Sequence, residues 1–181
     1  MIIALAGRRI DAPDAEEKRF PLKRRASVRR KIIRFFKKNN ITELISSGAC
    51  GADLLAQAVA KKLKIRQHII LPFGREKFRK TSVTDRPGYW GKLFDEICDE
   101  AERQGNLIVL KGFEDDEEKA YSAVTTEILK YTKNLQTEKE KLLAVAVWEG
   151  KAKDKTNETD SFIEQAKIRK IRTTEILIRS Y

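Results

Sequence analysis

Cysteine, histidine and long apolar runs are all scarce in this chain, and each scarcity removes a class of function. Two cysteines in 181 residues, Cys50 and Cys98, offer neither a disulfide framework nor metal-ligand spacing. The single histidine, His68, leads an apolar run, which suits a structural role and leaves no Ser-His-Asp arrangement. No apolar stretch approaches the ~20 residues of a membrane helix. The opening Met1-Ile2-Ile3-Ala4-Leu5-Ala6-Gly7 is too short for a signal segment and has no basic flank. The expectation is a cytoplasmic protein with no membrane contact, no metal and no cofactor.

Acidic residues are missing where the basic ones crowd. From Lys18 to Lys38 there are 11 basic residues and no acid, and residues 1–40 carry +9 of the net +11. Such asymmetry marks either a surface for nucleic acid or the solvated outer face of one helix. With 41% hydrophobic and 36% charged residues, the composition is that of a globular chain, read as a single domain over residues 1–181. A homodimer is compatible with it.

The periodicity alternates. Apolar runs at residues 2–6, 42–47, 67–71, 107–110, 142–147 and 172–178 read as buried strands. Helical spacing appears over residues 24–38, 52–63, 89–103, 116–136 and 160–167. In the first helix Val28, Ile32, Phe35 and Phe36 share a face, and the basic residues take the other. Residues 72–88 read as one long connection, carrying Phe73, Phe78, Arg79, Ser82, Asp85 and Arg86. This order predicts an α/β protein: a Rossmann-like three-layer α/β/α sandwich with a mostly parallel sheet of six or seven strands. Such sheets bind ligands beyond the carboxyl ends of their strands.

The most informative stretch is Ser46-Ser47-Gly48-Ala49-Cys50-Gly51-Ala52-Asp53, a strand-to-helix junction built from small residues. Helix N-termini attract anions, and Gly48 and Gly51 permit close approach, so this turn is the first candidate for a phosphate site. The alternative is a tight turn that needs small residues. Asp53 falls in the first helical turn, as a cap or a partner for a ribose hydroxyl. Cys50 reads as a small filler.

In order along the chain, four pieces resemble the SLOG superfamily, the Rossmann-like domains that include Smf/DprA DNA-processing proteins and Lonely-Guy-type phosphoribohydrolases. They are Ile3-Ala4-Leu5-Ala6-Gly7-Arg8-Arg9; Ser47 to Asp53; the segment from Leu71-Pro72-Phe73 to Trp90; and Val147-Trp148-Glu149-Gly150 with Glu158-Thr159-Asp160-Ser161-Phe162. The segment containing Phe78-Arg79-Lys80-Thr81-Ser82-Val83 is similar to a subgroup found beside signalling or effector domains. The resemblance implies binding of a nucleotide or nucleotide-derived ligand. Lonely-Guy enzymes carry Gly-Gly-x-Gly-Thr-x-x-Glu, and here Thr159 matches the threonine while Phe162 replaces the catalytic Glu. That moves the expectation from cleavage of a nucleoside monophosphate toward recognition, with Glu149 or Asp160 as substitutes if the chain is an enzyme. The DNA-processing members keep single-stranded DNA open as a third reading, through Lys18 to Lys38.

Within that resemblance the expected ligand-binding set follows. Ser47, Gly48 and Gly51 hold phosphate; Arg8, after Gly7, and Arg79, with Ser82, neutralise and close over it, or Arg8 points to solvent and the Arg79 loop packs on itself. Glu149 beside Gly150 takes a ribose hydroxyl or faces water, Trp148 stacks on a base, and Thr159 completes the edge. Trp90 reads as core, and Tyr121 and Thr125, four apart on one helix face, as packing residues.

Overall fold

A computed structural model describes residues 1–113, 116–150 and 158–179. Among them, six strands form one all-parallel sheet: β1 (Ile2–Gly7), β2 (Glu43–Ser46), β3 (Arg66–Leu71), β4 (Leu107–Val109), β5 (Leu142–Trp148) and β6 (Thr173–Leu177). The helices are α1 (Arg25–Lys38), α2 (Ala52–Lys62), α3 (Arg75–Phe78), α4 (Trp90–Arg103), α5 (Glu117–Asn134) and α6 (Glu158–Ile168). The expected α/β/α architecture is therefore present, with six strands.

Alternation along the strands divides the core in two, because successive side chains leave a strand on opposite faces. Ile3, Leu5, Val145 and Val147 pack beneath α1, α2 and α4, while Ile2, Ala4, Ala144, Ala146 and Trp148 pack beneath α5 and α6. Both faces are covered, which is why the strands read as unbroken apolar runs.

The strand order is β4-β3-β2-β1-β5-β6. The chain therefore winds outward from β1 through β2, β3 and β4, then returns to the other side of β1 for β5. The direction reverses between β1 and β5, so their carboxyl ends bound the crevice where such folds place ligands.

The connection over residues 72–88 is not the open loop expected. It folds into α3 followed by a single π-helical turn over residues 79–83, closed by the Thr84 N–H donating to the Arg79 carbonyl at 2.9 Å. The apolar residues explain the geometry. Phe78 and Val83 are five residues apart and both buried, a spacing that a π turn places on one face. Phe78 meets Phe73 edge-on at 6.1 Å and Phe94 of α4 at 5.9 Å, so the segment is pinned to the core.

Candidate functional site

After β1 the chain does not leave the sheet; it crosses the start of α2. The Ala52 N–H donates to the Arg8 carbonyl at 3.0 Å, and the Ile10 N–H donates to the Cys50 carbonyl at 3.3 Å. Gly51 has φ +113°, and a Cβ there would stand 2.5 Å from the Arg8 carbonyl oxygen and 2.8 Å from the Ile10 nitrogen. The glycine is required by this backbone crossing. Gly48 serves packing, since its Cβ would lie 3.0 Å from the Phe94 ring.

The phosphate cradle expected at residues 47–51 is consequently turned to internal use. The Cys50 N–H donates to the Ser82 carbonyl at 2.9 Å and the Leu54 N–H to the Ala49 carbonyl at 3.2 Å. These amide donors are spent on protein carbonyls, and the Asp53 carboxyl in the first helical turn bonds the Ser47 hydroxyl. Cys50 is buried, which raises its thiol pKa against the opposing pull of Arg9, as befits a filler.

Two adjoining cavities open at the β1/β5 edge and share Gly7, Arg9, Glu158 and Thr159. The inner one, about 290 Å³, is walled by Ser47, Asp53, Thr81, Ser82, Tyr121 and Thr125, with Phe78, Val124 and Ile128 as its apolar surface. The outer one, about 430 Å³, is lined by four arginines, Arg8, Arg9, Arg19 and Arg86, together with Asp11 and the backbone near Ile10. Together they form one cleft with a hydroxyl- and carboxyl-rich inner lobe and an arginine-rich outer lobe.

The arginines are held from behind. Arg8 grips Glu149 through Nε at 2.8 Å and Nη2 at 2.5 Å, a bidentate pair. Arg9 pairs with Asp85 and donates to the Thr81 carbonyl at 3.3 Å. Arg86 Nε lies 3.3 Å from Asp85, and Arg19 lies 3.4 Å from Glu17 and 3.9 Å from Glu149. Glu149, Asp85 and Glu17 do not line the outer lobe, so they orient guanidinium groups that do.

Asp53 is the most unusual group. It is 6% exposed, accepts a 2.6 Å hydrogen bond from the Ser47 hydroxyl on Oδ2, and has no partner on Oδ1. Burial, reinforced by the charge of Glu158, pushes its pKa up to about 7 against the pull of Ser47, the Gly7 amide and Arg9. Glu158 also titrates above its ordinary value because protein surrounds much of it, although Arg9 and Arg8 oppose the shift and part of the side chain reaches solvent.

Several expected site residues have other positions. Trp148 is 3% exposed, packs beneath α5 and α6, and lines neither lobe, so base stacking on it would require opening the core. Arg79 is bound to Asp95 of α4 at 3.0 and 3.1 Å and packs against Gly91, outside both lobes. Glu149 is committed to Arg8, and Asp160 and Gly150 lie outside the lining. Residues 155–157 of the Lonely-Guy-like stretch lie outside the described residues, while Phe162 is a fully buried core residue. The cleft does bring together Gly7, Arg8, Ser47, Asp53, Ser82 and Thr159.

Other members escaped sequence reasoning. Arg9 is the cation common to both lobes; it stood in the quoted Gly7-Arg8-Arg9 motif but without a role. Tyr121 shares a 2.6 Å hydrogen bond with Ser82 and lines the inner lobe with Thr125, so these two are wall residues as well as packing ones. Two polar residues four apart on an otherwise apolar helix face were the available signal. Trp90 is core, as expected, with Nε1 donating to the Pro87 carbonyl at 2.9 Å.

No protein-family model matches the chain, and no curated protein matches it.

Proposed function

We propose that this cleft binds a nucleotide or nucleotide-derived ligand, as the recognition site of a SLOG-like domain. One observation carries the reading. Among the described residues, the buried side-chain polar atoms without a hydrogen-bond partner are Arg9 Nε, Asp11 Oδ2, Asp53 Oδ1, Arg86 Nε, which keeps only its ion-pair approach to Asp85, and Trp148 Nε1. The first four belong to residues lining the cleft; Trp148, in the core beneath α5 and α6, does not. An unpaired buried polar group costs roughly 1–3 kcal/mol, so their concentration at one edge calls for a reason. A ligand with an anionic end and a hydroxylated end supplies one.

In this reading the phosphate lies against Arg8, Arg9 and Arg19 rather than in the Ser47–Gly51 turn. The sugar enters the inner lobe, where Ser47, Ser82, Thr159 and Asp53 face its hydroxyls. A thermal-shift panel of nucleoside monophosphates, cyclic nucleotides, ADP-ribose and NAD tests it. A ligand at 100 times its Kd adds ~2.7 kcal/mol, or about 5–11 °C for a domain of this size. No response to any member of the panel overturns the proposal.

A hydrolytic version of the same reading is served by different carboxyls from those the sequence suggests. Asp53 and Glu158 line the cleft, whereas Asp160 does not and Glu149 is paired. Release of free base from nucleoside monophosphates separates catalysis from binding. A single-stranded nucleic acid reading draws on a 370 Å³ groove between α1 and β6, where Lys31, Arg34, Lys38 and Arg179 surround Phe35 and Leu177. A salt-dependent shift of labelled single-stranded DNA, lost on neutralising Arg34, Lys38 and Arg179 of that groove, is its test.

A further inference from the structure

The charges in the two lobes run in opposite senses. The inner lobe has four charged lining side chains: Arg9, Asp53, Glu117 and Glu158. Arg9 is already paired with Asp85, and Glu117 lies 3.2 Å from Lys77, so these two are balanced locally. Asp53 and Glu158 have no ion-pair partner among the described residues, and Asp53 Oδ1 is buried with no hydrogen bond. The outer lobe presents four guanidinium groups 

against two lining acids, Asp11 and Glu158.

A second anionic group in the inner lobe would meet the buried Asp53 carboxyl, where like charges repel strongly, and the more exposed Glu158 at the lobe junction. A positive or N–H-bearing group would instead give Asp53 Oδ1 the donor it lacks. Resting on the nucleotide reading above, we infer that the cleft selects a dipolar ligand: a phosphate on the arginine side and, in the inner lobe, a cationic or hydrogen-bond-donating head held by Asp53, with Glu158 at the junction of the two lobes. The matching chemical class is a phosphoribosyl compound with a positively charged or amino-bearing heterocycle. A ligand with an acid on that heterocycle is rejected.

Two probes differ in that one respect. Nicotinamide mononucleotide and nicotinic acid mononucleotide share the phosphate, the ribose and the cationic ring, but the second carries a carboxylate where the first carries an amide. Calorimetric titrations at pH 8, with ribose 5-phosphate as the headless reference, should show the amide form binding at least ~10-fold more tightly than the acid, the ratio expected of a charge-charge penalty at a partly buried site. Asp53→Asn and Glu158→Gln should each reduce that ratio at least threefold. Glu158 reaches solvent, so its variant remains informative if the Asp53 variant fails to fold.

Equal binding of the two nucleotides, or a ratio unmoved by both substitutions, overturns the head-group inference while leaving nucleotide binding intact. Failure of all three phosphates to bind also overturns the inference, and the nucleotide reading falls with it only when the wider nucleotide panel is silent too.

Discussion

His68 and Asp53 are both buried ionisable side chains beside the same sheet, and their surroundings are opposites. His68 Nε2 lies 2.7 Å from Glu43, its Nδ1 lies 3.3 Å from the Tyr131 hydroxyl, and the Tyr131 ring packs on it at 5.3 Å. Burial pushes the His68 pKa down, and Glu43 pulls it back. Nearby, Gln57 donates to the Ser46 hydroxyl at 2.9 Å and accepts from Gln67 at 2.7 Å. That polar network is closed, and a closed network rigidifies a core. Asp53 Oδ2 accepts from Ser47 while its Oδ1 has no hydrogen-bond partner, in a cleft where Arg9 and Asp11 also each bury one unpartnered atom. Completion distinguishes scaffolding from a receptive surface here, because residue type and burial are alike in the two places.

Breaking the backbone crossing should have the largest effect. Gly51→Ala forces an L-residue to φ +113° with its Cβ 2.5 Å from the Arg8 carbonyl. We expect a loss of at least ~3 kcal/mol in chemical denaturation, from strain and overpacking together. Near-normal stability with selective loss of ligand binding would restore the turn as a phosphate cradle.

On the closed side, His68→Ala should cost ~2–3 kcal/mol, since it removes a buried ring and leaves Glu43 and Tyr131 without their partner. Ligand affinity should be unchanged. A variant that folds normally but binds weakly would erase the distinction between the two regions.

On the open side, Asp53→Asn should act in the other direction. Its folded pKa of about 7 lies above the ordinary value of 3.8, so the native state holds its proton more tightly than the unfolded state. Its contribution is fully present below pH 4 and is lost as pH rises toward 7, because ionisation is penalised by burial. The Asn variant should therefore gain on the order of 2 kcal/mol over wild type at pH 8. The gain should vanish near pH 4. Urea denaturation at the two pH values checks it, and an equal effect at both would show that the carboxyl does not ionise against burial.

The smallest effect belongs to Arg79→Ala. Its pair with Asp95 is more than a third exposed on both sides, so stability should change by under ~1 kcal/mol. Nucleotide affinity should not change, and a clear loss would place Arg79 over the ligand after all.

Most of the fold was legible because buried parallel strands and amphipathic helices differ in period. The segment over residues 72–88 was not: its buried Phe78 and Val83 stand five positions apart, a π-turn spacing that neither template contains. The site was half legible. Gly7, Arg8, Ser47 and Asp53 lie at junctions that a Rossmann-like order brings to one edge. That Arg9 reaches both lobes while Arg8 reaches only the outer one was hidden, because the acids that hold them, Asp85 and Glu149, are distant in sequence. Trp148 showed the reverse problem. Its position at the end of β5 suggested exposure, but strand parity turns the side chain under α5 and α6.

Backbone amide chemical shifts followed during titration with adenosine monophosphate and nicotinamide mononucleotide test the central claim most directly. We expect saturable perturbations at residues 7–12, at Ser47 and Asp53, at Ser82, and at Glu158 and Thr159. Perturbations confined to α1, or none at millimolar nucleotide, would contradict a nucleotide site at the β1/β5 edge.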